Sequence, residues 1–318
     1  MDGTYFEEEV HAKDPKAVGN TLGFVLATSG YDVWLLNARG NVYSTNHTYL
    51  SPNQNEYWQF SLDELIRYDL PATIDYVRAV TKRPSVAYIG HSLGTTVMYG
   101  LLATQPEKYT AQVRPCIALA PVAYFTRMKA SSRNLAPWRD TIHWLLPRSF
   151  GTAWFQRLGL PRLCARFRWV NDALCYRLIK RTGSTDAQID RSRVPLYIDN
   201  GMLGSSTRTF IQLMQQRSGL RYFNFSDPAT NLQVYGQEES PPYDFTQIVS
   251  PFLVDIHVKV DRYVDLENIR LLKADIRVPF AREYQIDDQS WGHVDLLWGK
   301  NVGKVVNRRV LRYLADLA

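Results

Sequence analysis

The pentapeptide Gly90-His91-Ser92-Leu93-Gly94 restricts the fold of this chain more than any other feature, because of what flanks it. Ahead of it residues 85–89 (SVAYI) read as a short buried strand, and behind it residues 95–104 (TTVMYGLLAT) read as a helix. A Gly-x-Ser-x-Gly string alone arises often by chance. Between a strand and a helix it specifies a sharp turn that holds its serine in a strained conformation. Glycines at 90 and 94 let the two elements approach, and the helix N-terminus faces any anion that forms at the serine. Such a turn belongs at the carboxyl edge of a parallel sheet.

The rest of the chain supplies such a sheet. Residues 31–37 (YDVWLLN) read as a strand entering the loop Ala38-Arg39-Gly40-Asn41. Residues 61–80 open with the capping box Ser61 and Glu64 and then place Leu62, Leu65, Ile66, Leu70, Ile74 and Val77 at helical spacing, with Pro71 marking a kink or a restart. Residues 115–120 (PCIALA) read as another strand. From 122 to about 250 aromatic and basic residues crowd together and no long β-branched run occurs. Alternation resumes with a strand at 251–258 (PFLVDIHV), a helix at 265–273, a strand or edge at 278–285 and a helix at 302–317. The expected architecture is α/β: a mostly parallel sheet with helices on both faces, its core formed by residues 1–121 and 251–318, and residues 122–250 inserted as a largely helical cap.

Composition limits the function classes. With 45% hydrophobic and 21% charged residues in 318, the chain can bury a large core. The net charge of +6 is weaker than a nucleic-acid footprint and comes with no recognisable binding module, so no nucleic-acid partner is expected. No run approaches about 18 consecutive apolar residues, which argues against a transmembrane helix. Residues 1–10 (MDGTYFEEEV) lack a basic and then apolar signal peptide. Asn46 and Asn224 head glycosylation sequons (Asn46-His47-Thr48 and Asn224-Phe225-Ser226). Of three cysteines, Cys164 and Cys175 are spaced for a small loop rather than a zinc site; a pairing and three unlinked buried thiols are equally open on this ground.

A serine hydroxyl needs a base, and in this fold's chain order the acid and then the histidine follow the serine. Six histidines compete. His11 and His47 precede Ser92, His91 lies inside the turn, His143 sits in the basic insertion and His257 lies within a strand. His293, in a glycine-containing loop after the last strand and before the terminal helix, is the expected base. Asp261 falls at the carboxyl edge of the 251–258 strand and is the expected acid. Asp265 suits the cap of the following helix, Asp255 points along the strand interior, and Asp287 and Asp288 lie too close to His293.

Residues 22–41 (LGFVLATSGYDVWLLNARGN), 57–77 (YWQFSLDELIRYDLPATIDYV), 88–96 (YIGHSLGTT), 119–123 (LAPVA), 222–243 (YFNFSDPATNLQVYGQEESPPY) and GHVDLLWG around His293 together resemble the acid lipase family, the gastric and lysosomal lipases. The resemblance spans nearly the whole chain. It implies an α/β-hydrolase fold, a Ser92, Asp261 and His293 triad, triacylglycerol or sterol-ester substrates, no cofactor or metal, and a secreted or lysosomal location. It also implies a cap disulfide that would fall on Cys164 and Cys175. Leu93 stands where the family has Gln; its backbone N–H is the expected oxyanion donor. The family's upstream strand and His-Gly turn are not found, which would put the second donor near Met1 or Asp2 and leave a sheet edge uncovered.

Residues 141–170 contain no acidic residue, while Arg148, Arg157, Arg162, Arg166 and Arg168 alternate with Trp144, Leu145, Leu146, Phe150, Trp154, Phe155 and Trp169. Such a segment fits a lipid-water interface. The expected activity is therefore serine-dependent hydrolysis of lipid carboxylic esters through an acyl-enzyme. The rival is a non-catalytic lipid-binding or carrier protein on the same fold.

Overall fold

A computed structural model describes residues 21–124, 138–145, 148–150, 159–200, 204–216 and 218–317. Met1 and Asp2, and with them the expected second oxyanion donor, lie outside the described residues, as does His11.

Four strands form one parallel sheet in the order β1 (Val86–His91), β2 (Val113–Leu119), β3 (Leu253–Val258) and β4 (Arg282–Ile286). The two-residue alternation of side chains decides what each face buries. On β2, Cys116 and Ala118 join one apolar cluster, whereas Ile117 and Leu119 join a second on the opposite face. Both faces are therefore covered, the usual condition of a parallel sheet.

Short helix α1 (Leu22–Thr28) contributes Leu26 to the second cluster. Ser61 caps the next helical segment with a complete capping box to Glu64. A π turn at Leu65–Asp69 then leads into α2 (Leu70–Thr81), with Pro71 in its first turn. The restart expected at that proline is thus built from a widened turn. Helix α3 (Leu93–Thr104) follows β1 directly and is buried along nearly its whole length. Residues 31–37 depart from expectation and form no strand. Val33 and Leu36 pack on the two clusters, but a strand also needs a paired backbone, and none of the described strands lies against this run.

Between β2 and β3, helices α4 (Leu160–Arg166), α5 (Tyr176–Arg181) and α6 (Val194–Asn200) close around a separate apolar cluster that includes Ile179, Ile189, Tyr197 and Ile198. A disulfide joins Cys164 to Cys175 across it, with the Cα atoms 6.1 Å apart. Helix α7 (Thr207–Gln215) and the segment after it are tied to the capped helical segment after Ser61 through the Asp63 carboxylate. That carboxylate accepts hydrogen bonds from Gln212 Nε2, the Phe223 amide and Tyr243 Oη, each 2.8 Å long. Helix α8 (Leu266–Asp275) connects β3 to β4, and α9 (Arg308–Leu317) ends the chain against the second cluster with Val310 and Leu314.

Candidate active site

β1 runs out through His91, and the Ser92 amide continues its ladder by donating to Leu119 O at 2.9 Å. The backbone then reverses at Ser92, which takes φ 51° and ψ −116° before α3 begins at Leu93. A non-glycine residue there is strained, at a cost of order 1–3 kcal/mol, and surrounding contacts must hold it. Thr95 supplies two of them: its amide and its hydroxyl both donate to Ser92 O, at 2.8 and 2.6 Å. The Thr95 hydroxyl also accepts from the Val122 amide at 2.9 Å. Gly90 is obligatory, since a Cβ there would lie 2.7 Å from the Tyr88 ring and 3.0 Å from the Gly94 carbonyl carbon. Leu93 is the first residue of α3, so its N–H is among the donors that a helix leaves without an internal acceptor.

Three remote segments meet at this turn. His293 Nε2 lies 2.7 Å from Ser92 Oγ, and His293 Nδ1 lies 2.8 Å from Asp261 Oδ2. Asp261 follows the end of β3, and its other carboxylate oxygen accepts the amides of Tyr263 at 2.7 Å and Val264 at 3.0 Å. Burial opposes the Asp261 charge, but the His293 imidazole and the two amides outweigh it and hold the carboxyl below its ordinary range. Its ionised form therefore faces Nδ1, the arrangement that leaves Nε2 as the acceptor opposite a hydroxyl. Asp265 stands apart from this chain of hydrogen bonds and caps α8 by accepting the Asn268 amide at 2.9 Å.

Two residues around the histidine had no functional reading in the sequence. His91 Nε2 lies 3.0 Å from His293 O, and the rings are 4.9 Å apart. Burial pushes the His91 imidazole down to about 3, so it is neutral and donates that Nε2 proton to the carbonyl. Asp295, fully buried, accepts from the Gly292 amide at 2.8 Å, from the Thr185 amide at 3.0 Å and from the Ser184 hydroxyl. It thereby fastens the histidine loop to the segment Gly183-Ser184-Thr185. The contact is so close that a Cβ on Gly292 would lie 2.1 Å from Gly183 O. Nothing in a Gly-Ser-Thr tripeptide announces this role; the only signal was an aspartate two residues after the base. Removing one charge from a carboxylate with three buried donors costs about 2–3 kcal/mol. We expect Asp295→Asn to lower Tm by roughly 4–10 °C and Ser184→Ala to lower it less, measured by thermal unfolding of both variants.

The other positions separate. His47 is exposed and its Nδ1 accepts the Tyr49 and Leu50 amides, while His257 lies within β3 beside Asp255. The His143 side chain lies outside the described residues. Asn46 is exposed; Asn224 is half-buried and accepts from Asn231 Nδ2 through its own side-chain oxygen at 3.1 Å.

A family model described as the alpha/beta hydrolase fold matches residues 21–300. The bovine (Bos taurus) gastric triacylglycerol lipase is 32% identical over 307 residues, covering 93% of this chain and 75% of its own. Human (Homo sapiens) lipase member J is 29% identical with 93% and 81% coverage, and lipase lipl-5 of Caenorhabditis elegans is 29% identical with 92% and 75%. With the matched family region spanning the sheet, the turn at Ser92 and the loop of His293, the chain belongs to the α/β-hydrolase superfamily and, within it, to the acid lipase family that includes the gastric lipases.

Proposed function

We propose that this protein hydrolyses lipid carboxylic esters, triacylglycerols or sterol esters, through a serine acyl-enzyme. The carrying observation is the unbroken hydrogen-bond chain from Ser92 Oγ through His293 to Asp261 at a strained strand-to-helix turn. In this reading Ser92 Oγ bonds to the ester carbonyl carbon as His293 Nε2 takes its proton, and Asp261 stabilises the imidazolium. The Leu93 N–H, with one upstream N–H, steadies the oxyanion. Collapse breaks the carbon–oxygen bond to the alcohol, which leaves with the proton from His293. Water, deprotonated by the same imidazole, then releases the carboxylic acid and restores Ser92.

Residues 122–250 serve as the cap. Support for a lipid-water interface there comes from Trp144 and Trp169, 78% and 72% exposed, in a stretch whose charged residues are arginines. Solvated tryptophans beside cations fit a membrane or droplet surface better than bulk water. A secreted or lysosomal location agrees with this family and with an exposed Asn46 sequon, and a mass loss on treatment with an N-glycosidase would register the glycan.

The test compares an emulsified triacylglycerol and a sterol ester with a soluble short-chain aryl ester. Turnover of all three supports the reading; tight lipid binding without turnover would make the protein a carrier. The double variant Trp144→Ala and Trp169→Ala is expected to lose roughly tenfold on the emulsion and little on the soluble ester. Equal losses on both would remove the interfacial role.

A further inference from the structure

We propose that Asp255, His257 and Glu283 form a zinc-binding site on the sheet, separate from the Ser92 centre and independent of its assignment. Leu253 at the start of β3 belongs to the apolar cluster that α2, α3 and α8 cover, so alternation directs Asp255 and His257 to that same face. Both are buried there, at 1% and 3% exposure. Strand register places Glu283 of β4 opposite Asp255, and Gln285 opposite His257. One ligand atom from each of Asp255, His257 and Glu283 lies within 4.8 Å of the other two.

The hydrogen bonds around this group are those of a ligand set. Gln285 donates its amide to Asp287 Oδ1 at 2.6 Å, which turns Gln285 Oε1 toward His257 Nε2 at 3.3 Å. Nε2 is therefore the protonated nitrogen, and the ring is oriented from outside, as metal-bound imidazoles are. His257 Nδ1 then faces Asp255 Oδ2 at 2.9 Å. Two lone-pair atoms at that separation need a positive particle between them. A proton can serve, and so can a divalent cation, whose entry sends that proton to solvent. Asp255 Oδ1, meanwhile, is buried with no hydrogen-bond partner among the described residues. A buried carboxylate oxygen without a donor is expensive, and a second metal contact would satisfy it.

The donor set selects the ion. One imidazole and two carboxylates, with a water as the fourth ligand, would match Zn²⁺; Mg²⁺ and Ca²⁺ prefer all-oxygen sites. Glu283 is exposed and paired with Lys273 of α8, so the chain's own ammonium occupies the outer side. Zinc binding requires Glu283 to turn inward from Lys273. The ion would then clamp β3 to β4 just before the Asp261 loop, so the effect to seek is on stability.

Titrating the full chain with zinc chloride against a competing fluorescent chelator measures it. We expect one zinc per chain at micromolar affinity, a Tm increase of several degrees, and no comparable response to Mg²⁺. Glu283→Gln, a surface change that leaves the buried pair intact, is expected to weaken binding at least about tenfold without altering hydrolysis of a soluble ester in zinc-free buffer. Lys273→Met, which removes the competing cation, is expected to tighten binding several-fold. Absence of stoichiometric binding at micromolar zinc, or one affinity shared by wild type, Glu283→Gln and Lys273→Met, would overturn the site.

Discussion

Ser92→Ala is expected to lower the turnover of a short-chain aryl ester by about 10⁶-fold, some 8 kcal/mol of transition-state stabilisation, while leaving Tm essentially unchanged. The substitution keeps a Cβ at the strained φ of 51° and removes one oxygen, so the turn keeps the contacts that hold it. His293→Ala should be about as damaging, because the hydroxyl loses the acceptor that lies 2.7 Å away. His257→Ala should behave in the opposite way. It leaves the buried Asp255 carboxylate without its partner, which costs about 3–5 kcal/mol of stability, and it touches none of the three groups at Ser92. Steady-state kinetics and thermal unfolding of the three variants separate these effects. A crippled His257→Ala enzyme with an active His293→Ala enzyme would reassign the base.

The second large effect concerns the acid. Asp261→Asn puts an amide opposite His293 Nδ1 and favours the tautomer that carries its proton on Nε2, facing the serine; turnover should fall by about 10⁴-fold. Asp265→Asn should be nearly silent. Asparagine caps a helix about as well as aspartate, and the Asp265 carboxylate accepts the Asn268 amide of its own helix. Measuring kcat for the two variants decides between the carboxylates, and a crippled Asp265→Asn enzyme would move the acid four residues along the chain.

The residues that meet at Ser92 were legible because each has a positional signature. The serine needs a strand before it and a helix after it, both of which depend on local pattern alone, and β1 and α3 form there. Asp261 could be told from Asp265 by asking where the apolar run of β3 ends and where a cap is needed. His293 emerged from chain order and a glycine loop. Long-range backbone pairing was not legible. Residues 31–37 carry side chains suited to a strand, yet pairing depends on a neighbour that no local pattern specifies. Contacts made by ordinary residue types were equally hidden. Asp295 and Ser184 come from segments more than a hundred residues apart, and a serine in a loop has no distinguishing neighbourhood. The same holds for the polar pair inside β3, where a strand interior was the reason for setting Asp255 and His257 aside.

The central claim is that Ser92 is a nucleophile activated by His293, and covalent labelling by a fluorophosphonate ester tests it most directly. Intact-mass spectrometry followed by peptide mapping should find one phosphonyl adduct, on Ser92. The Ser92→Ala chain should remain unlabelled, and the His293→Ala chain should label far more slowly. An active protein whose adduct maps to another residue, or which hydrolyses esters while Ser92 stays unmodified, would contradict the account.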